Sequence, residues 1–193
     1  MSTFSIIGFG SVGQALARAF ARKNIDVTVA SRRSPEELAP QAQAIGPTVT
    51  PRALEEALGA DVIILSVPFA EHEAVASKLA TWQGKTIIDA MNGFGVSSAV
   101  VARAFPGARL VKGFNHLLAR TLATDPQVEG GRRVVFLSSD DEDAAASVAA
   151  LAERLGFAPV NLGKLEEGGV LVQAREDRSW GPLIFKDLFK QDS

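Results

Sequence analysis

The chain opens on a short apolar run, Thr3 to Ile7, that breaks into glycines. From Ser11 to Lys23, Val12, Leu16, Ala19 and Phe20 then recur at helical spacing, so the order predicted is strand, tight turn, helix. Ile25, Val27 and Val29 alternate with polar neighbours and predict a second strand, Ile25 to Ala30. Ser34, with Pro35 at the first helical position and Glu37 three residues on, forms a capping box that starts a short helix to about Ile45. Thr50 and Pro51 repeat part of that signal and predict another helix start. Val62 to Val67 is a nearly unbroken apolar run, the pattern of a central strand covered by helices on both faces. Pro68 ends it, and a helix to about Ala80 and a strand from Lys85 to Ala90 follow. Further strands are expected at Arg109 to Gly113, Arg133 to Ser138 and Phe157 to Val160. A helix from about Asp141 to Leu155 has an acidic first turn that suits the helix dipole, and Gln127 to Arg132 reads as a surface loop. Near the C-terminus, Ser179 to Phe185 with Leu188 and Phe189 sets apolar residues at helical spacing after Pro182. Alternating strands and helices imply an α/β fold, a doubly wound, mostly parallel sheet extended by C-terminal strands and a C-terminal helix. One domain over residues 1–193 accounts for the length.

Composition narrows the function. Lys and Arg number 20 against 22 Asp and Glu, a net charge of −2 without a basic block, which argues against nucleic-acid binding. There is no Cys, hence no thiol nucleophile, disulfide or cysteinyl metal site, and no Tyr, which removes the Tyr/Lys pair of short-chain dehydrogenases. The two histidines, His72 and His116, have no second histidine at zinc-site spacing, so no metal is expected. Neither a basic leader nor a long apolar run is present, and the expectation is a soluble cytoplasmic protein with no membrane association.

The chemistry lies in the glycine turn. Gly8, Phe9, Gly10, Ser11, Val12 and Gly13 spell G-x-G-x-x-G between a predicted strand and a predicted helix, the context that makes this motif a Rossmann dinucleotide fingerprint. Gly8 suits a tight turn, Gly10 a close approach of pyrophosphate to backbone, and Gly13 close packing of helix on strand. An NAD site would carry an acidic residue at the end of the second strand. Here the chain reads Ala30, Ser31, Arg32, Arg33, groups suited to a 2′-phosphate, and the expected cofactor is NADP(H).

These motifs, with Ser66-Val67-Pro68, Ile87-Ile88-Asp89-Ala90-Met91-Asn92 and Val111-Lys112-Gly113-Phe114-Asn115, resemble the NADPH:coenzyme F-420 oxidoreductases. They are also similar to the cytosolic nucleotide domain of the six-transmembrane ferric reductases. The resemblance covers at least residues 4 to 118 and implies that the nicotinamide of NADPH meets a flavin or deazaflavin ring. By position it puts Phe9 to Val12 at the pyrophosphate, Ser31 and Arg32 at the 2′-phosphate, and Val67, Pro68 and Gly113 near the nicotinamide ribose. Asn92, Phe114 and Asn115 complete the candidate cleft at the strand ends, with Gly113 leaving room for a ring. Asn115 and His72 are the catalytic candidates, Asn115 orienting a carboxamide or ring edge without proton transfer.

The leading function is hydride transfer between NADP(H) and a flavin or F-420-like small-molecule acceptor. Alternatives are a non-catalytic NADP(H)-binding redox sensor and a flavin-dependent ferric or quinone reductase. A hydroxyacid dehydrogenase needs a helical substrate domain for which too little chain remains after Asn115. The apolar stretch from Trp180 to Phe189 is the expected contact of a homodimer.

Overall fold

In the computed structural model, which describes residues 2–172 and 188–190, six strands form a parallel sheet. They are β1 (Phe4–Ile7), β2 (Val27–Ala30), β3 (Val49–Pro51), β4 (Val62–Leu65), β5 (Thr86–Asp89) and β6 (Arg109–Gly113), in spatial order β3-β2-β1-β4-β5-β6. The chain starts in the middle, winds to one edge and returns to build the other half, so the order reverses beside β1, where such folds bind ligands.

Two-residue periodicity divides the core. Val29, Ile6, Ile64, Ile88 and Val111 stand in register across five strands and face one apolar cluster. That cluster is closed by α1 (Ser11–Arg22), α2 (Pro35–Ile45) and α7 (Glu142–Arg154), with the short α6 (Ala119–Leu122). Ile7, Ile63, Leu65 and Ile87 face the second cluster, against α3 (Leu54–Ala57), α4 (His72–Ala76) and α5 (Ser98–Ala104). Strands covered on both faces have no polar side to expose, which explains their continuous apolar runs.

The capping box at Ser34 forms as expected, Ser34 Oγ accepting from Glu37 N–H and the Glu37 carboxylate accepting from Ser34 N–H. Thr50 and Pro51 do not open a helix. They lie in β3, paired with β2, and α3 begins at Leu54. Proline is tolerated there because β3 is an edge strand. The helix expected through Ala80 is a 3₁₀ turn, Phe69–Glu71, followed by the short α4.

Beyond β6 the strand direction reverses. β8 (Gly131–Ser139) runs antiparallel to β6, and β9 (Ala158–Asn161) runs parallel to β8 after α7. Gln127 to Arg132 is a hairpin rather than a loop: β7 (Gln127–Val128) pairs with β8 across Glu129 and Gly130, both at positive φ. β10 (Leu188–Lys190) also pairs antiparallel with β8, so Leu188 and Phe189 are in a strand rather than a helix. The rest of the expected C-terminal helix, Ser179 to Phe185, lies outside the described residues.

His116 follows β6 into the core, its ring 5.0 Å from that of Phe136 and Nε2 3.3 Å from the carbonyl oxygen of Val134. Burial pushes its pKa from 6.5 down to about 4, so it stays neutral in the fold. Its folded pKa lies below its unfolded one, so stability is complete above the unfolded value and is lost as pH falls towards the folded value. Between pH 7 and pH 5 this imidazole should cost about 2 kcal/mol of stability. Urea midpoints of the wild type and His116→Phe at both pH values test it; equal losses would show that the imidazole charges freely in the folded chain.

Candidate active site

The glycine turn is built by contacts that admit no side chain. Gly8 leaves β1 with φ +100° and donates to the carbonyl of Ala30 at 2.8 Å, and a Cβ on it would meet the Ser66 carbonyl oxygen at 2.5 Å. Ser66 Oγ donates to the Gly8 carbonyl at 2.7 Å, and a Cβ on Gly13 would overlap that same oxygen. Helix α1 therefore packs directly on the seam of β1 and β4. Gly10 differs, since its Cβ would project into open space. It caps α1 without a side-chain hydrogen bond, and the first turn holds no acid, which leaves the leading N–H groups and the positive end of the dipole for an anion. Phe9 contributes only backbone, because its ring is core; its carbonyl accepts from Gln14 Nε2 and Arg33 Nη2 at 3.2 and 3.3 Å.

Beside this turn lies a cleft of ≈ 900 Å³ whose walls include Gly10, Ser31, Arg32, Leu54, Glu71 and Lys78. Ser31 Oγ accepts from Arg33 N–H at 3.0 Å, which leaves its hydroxyl hydrogen to donate. The Arg33 guanidinium also bonds Gln41 Oε1 at 3.2 Å, so it braces the glycine turn against α2. Arg32 is exposed, and its Nη1 lies 3.3 Å from Glu71 Oε1. None of the residues that directly follow β2, Ser31 to Ser34, is acidic. The uncapped helix, the open space at Gly10 and the Ser31–Arg32 pair fit a dinucleotide with a 2′-phosphate.

A second cleft of ≈ 610 Å³ shares Ser66, Val67 and Pro68 with the first and continues over Val12, Met91, Asn92 and Phe94. The Phe69 ring fills the space a side chain at Gly93 would need. Under this cleft runs a buried network: Asp89 and Lys112 are register partners in β5 and β6, with Nζ 3.2 Å from Oδ2. Asp89 also accepts from Ser98 Oγ at 2.7 Å and from Met91 N–H at 2.9 Å, while Lys112 donates to the Met91 carbonyl at 2.6 Å. Burial lowers the pKa of Lys112, and the charge of Asp89 opposes that shift. The pair thus holds the peptide groups on both sides of Met91 and fixes the turn that presents Asn92.

Several candidates stand behind this cleft rather than in it. Asn115 is 4% exposed; its Nδ2 donates to Asn92 Oδ1 at 3.1 Å and to the Val172 carbonyl at 2.9 Å, and Asn92 Nδ2 returns a bond to the Asn115 carbonyl at 3.2 Å. Asn92 lines the cleft and Asn115 braces it. His72 is also buried, with Nδ1 2.6 Å from the Phe69 carbonyl oxygen and its ring 4.8 Å from that of Phe69. It supports the 3₁₀ turn from below and lines neither cleft. Gly113 does not make room for a ligand ring, because the space of its absent side chain is taken by Leu137 of β8. Phe114, at φ +62°, is core and packs edge-on against Phe157 rather than on a cofactor. Ser66, Asp89 and Lys112 fall within the motifs quoted for the resemblance, but their roles, like those of Glu71 and Phe94, emerge only from the structure. For Asp89 and Lys112 the sequence signal is slight: one charge at the end of each of two apolar strands.

Among the described residues no group of three or more His, Asp or Glu could hold a metal, and no helix is long and apolar enough to cross a membrane. Residues 3–93 match the family described as NADP oxidoreductase, coenzyme F420-dependent. The chain is 28% identical over 170 residues to the rat metalloreductase STEAP3, covering 83% of this chain and 33% of that protein. It thus spans about a third of the length of this curated relative. Among solved structures, the hypothetical protein SMa0349 from Sinorhizobium meliloti is 36% identical with a TM-score of 0.89, covering 100% of this chain and 97% of that one. A protein from Arthrobacter sp. FB24 assigned as an F420-dependent NADP-reductase is 26% identical with a TM-score of 0.75, covering 100% of both chains.

The two inner glycines should separate packing from ligand access. Gly13→Ala should lower the urea midpoint by an amount worth roughly 1–3 kcal/mol, since backbone must move to admit the methyl. Gly10→Ala, which meets nothing, should cost about 1 kcal/mol or less. Equal losses would mean that α1 does not sit against Gly8 as described.

Proposed function

We propose, from the match of residues 3–93 to the family of coenzyme F420-dependent NADP oxidoreductases, that the chain binds NADP(H) along the two clefts and transfers hydride between it and a flavin or deazaflavin. The observation that carries this reading is the union of the clefts: a cationic one at the end of β2 and an apolar one at the ends of β4 and β5, joined at Ser66, Val67 and Pro68. A dinucleotide is amphipathic in the same sense, charged along one stretch and flat and apolar at its reacting end.

The backbone of Gly8 to Gly13 and the amides of α1 receive the pyrophosphate, while Ser31 and Arg32 receive the 2′-phosphate. Val12, Val67, Pro68 and Met91 keep water from the reacting end. Asn92, held by Asn115 and by the Asp89–Lys112 pair beneath it, offers one amide donor and one acceptor to the edge of a flat group. The nicotinamide, when bound, supplies the hydride, so the chain needs to hold two rings in contact rather than to move a proton. An acceptor site without Tyr or Cys meets that need. The likeness to a metalloreductase favours a second reading, in which a reduced flavin leaves the cleft and passes electrons to ferric iron.

Arg32→Ala should weaken NADPH binding roughly ten- to a hundredfold, as the loss of one charge-assisted phosphate contact implies, and leave NADH binding nearly unchanged. Calorimetric titration of both cofactors checks this, and equal losses would remove Arg32 from the phosphate site.

Stopped-flow oxidation of NADPH with FMN, FAD and coenzyme F420 tests the chemistry. At least one acceptor should be reduced faster than without protein, and Asn92→Ala should slow that step by roughly tenfold or more while NADPH affinity changes little. Asn115→Ala should act in the same direction and more weakly. Ferric reduction that depends on added flavin would favour the second reading. Tight NADPH binding with no acceptor reduced would leave a redox-sensing module instead.

A further inference from the structure

The cationic cleft contains a charge of the wrong sign for the ligand assigned to it. Glu71 ends the 3₁₀ turn after β4, on the wall opposite Arg32, and the two side chains meet across the mouth of the cleft at 3.3 Å. Two carboxylates, Glu55 and Glu71, line this cleft, and Glu71 is the one that engages an arginine. Arg33 is bound instead to the Phe9 carbonyl and Gln41. The guanidinium left for a 2′-phosphate is therefore the one that Glu71 occupies.

We propose that Glu71 is a specificity-determining counter-charge, which pairs with Arg32 in the free protein and competes for it with the 2′-phosphate of NADP(H). The proposal rests on the NADP(H) reading above and adds to it a residue on the opposite wall. Two effects of Glu71 oppose each other, since it orders Arg32 near the ligand but also competes for it. The contact is single and long, with side-chain exposures of 84% for Arg32 and 38% for Glu71, so it orders the arginine little. The repulsion between a carboxylate and a phosphate dianion persists in every arrangement that keeps them within a Debye length. Competition therefore dominates. Glu71 makes the site less selective for the phosphorylated cofactor than Ser31 and Arg32 alone would make it.

The probes are 2′,5′-ADP and 5′-AMP, which differ only in the 2′-phosphate and need no hydride transfer. Exposed ion pairs carry couplings equivalent to roughly a 1.5- to 5-fold change in an equilibrium constant, and a dianion raises the effect. In calorimetric titrations Glu71→Gln should tighten 2′,5′-ADP binding by roughly three- to tenfold and change 5′-AMP binding less than about twofold. The gain should shrink at high salt, and it should be smaller in an Arg32→Ala background, where only the direct repulsion between Glu71 and the phosphate is left to remove. Glu73→Gln makes the same charge change on the exposed side of α4, outside the cleft, and should have little effect. Unchanged or weakened 2′,5′-ADP binding in Glu71→Gln, or an equal gain with 5′-AMP or in Glu73→Gln, overturns the proposal. The Arg32→Ala arm separates it from the broader reading. If Arg32→Ala weakens 2′,5′-ADP as expected while Glu71→Gln does nothing, the Glu71 proposal alone falls. If Arg32→Ala leaves 2′,5′-ADP intact, or the wild type binds both probes equally, the NADP(H) reading falls with it.

Discussion

The backbone of Gly8 is held by three elements at once. Ser66 Oγ donates to its carbonyl oxygen from the end of β4, α1 crosses that oxygen at Gly13 with no room for a methyl group, and its amide is tied to Ala30 at the end of β2. The start of α1 cannot move without breaking a hydrogen bond or opening the seam between the two central strands. That constraint aims an uncapped helix N-terminus into the crevice and sets the ends of β2 and β4 beside it. Both clefts follow, the cationic one over β2 and the apolar one over β4 and β5.

The apolar cleft has a foundation of a different kind. Asp89 and Lys112 are nearly inaccessible to solvent, and such pairs seldom add net stability because both charges give up their hydration. Breaking one partner is costly all the same, about 3–5 kcal/mol, since an uncompensated charge is left inside. What the pair supplies here is position. Its bonds to the N–H and carbonyl of Met91 fix the two successive peptide groups that flank Met91 at the end of β5, and Asn92 is the next residue. Ser98 donates the remaining bond from the start of α5, so the helix that covers this face is tied to the same carboxylate.

Features with local causes were legible in the chain alone. The fingerprint glycines answer to clashes within a few residues or with the adjoining strand, and the Ser34 capping box closes within one helical turn. Thr50-Pro51 reads as a helix start because proline has the same backbone preference at a first helical position and in an edge strand; pairing with β2 decides between them. Gly113 announces a missing side chain but not what fills the gap, and Leu137 does so only because β8 turns back antiparallel against β6. Asn115 and His72 declare hydrogen-bonding groups whose direction depends on which wall of the strand ends they meet. Asp89 and Lys112 are 23 residues apart, and nothing short of the register of β5 and β6 joins them.

The stretch from Ser66 to Glu71 gives the two clefts a common wall. Ser66 fastens the glycine turn, Val67 and Pro68 face both clefts, Phe69 faces the apolar one, and Glu71 reaches across the cationic one to Arg32. His72 supports this turn from the core side through the Phe69 carbonyl, so the wall is braced from behind as Asn92 is by Asn115. For the hydride transfer proposed above, a site of this design would act by holding flat groups at a fixed separation. Its demanding positions are then backbone and packing positions, and its polar side chains serve mainly to keep those positions still. A chain without cysteine or tyrosine can meet that requirement, because rigidity at the ends of β4 and β5 takes the place of an acid, a base or a nucleophile.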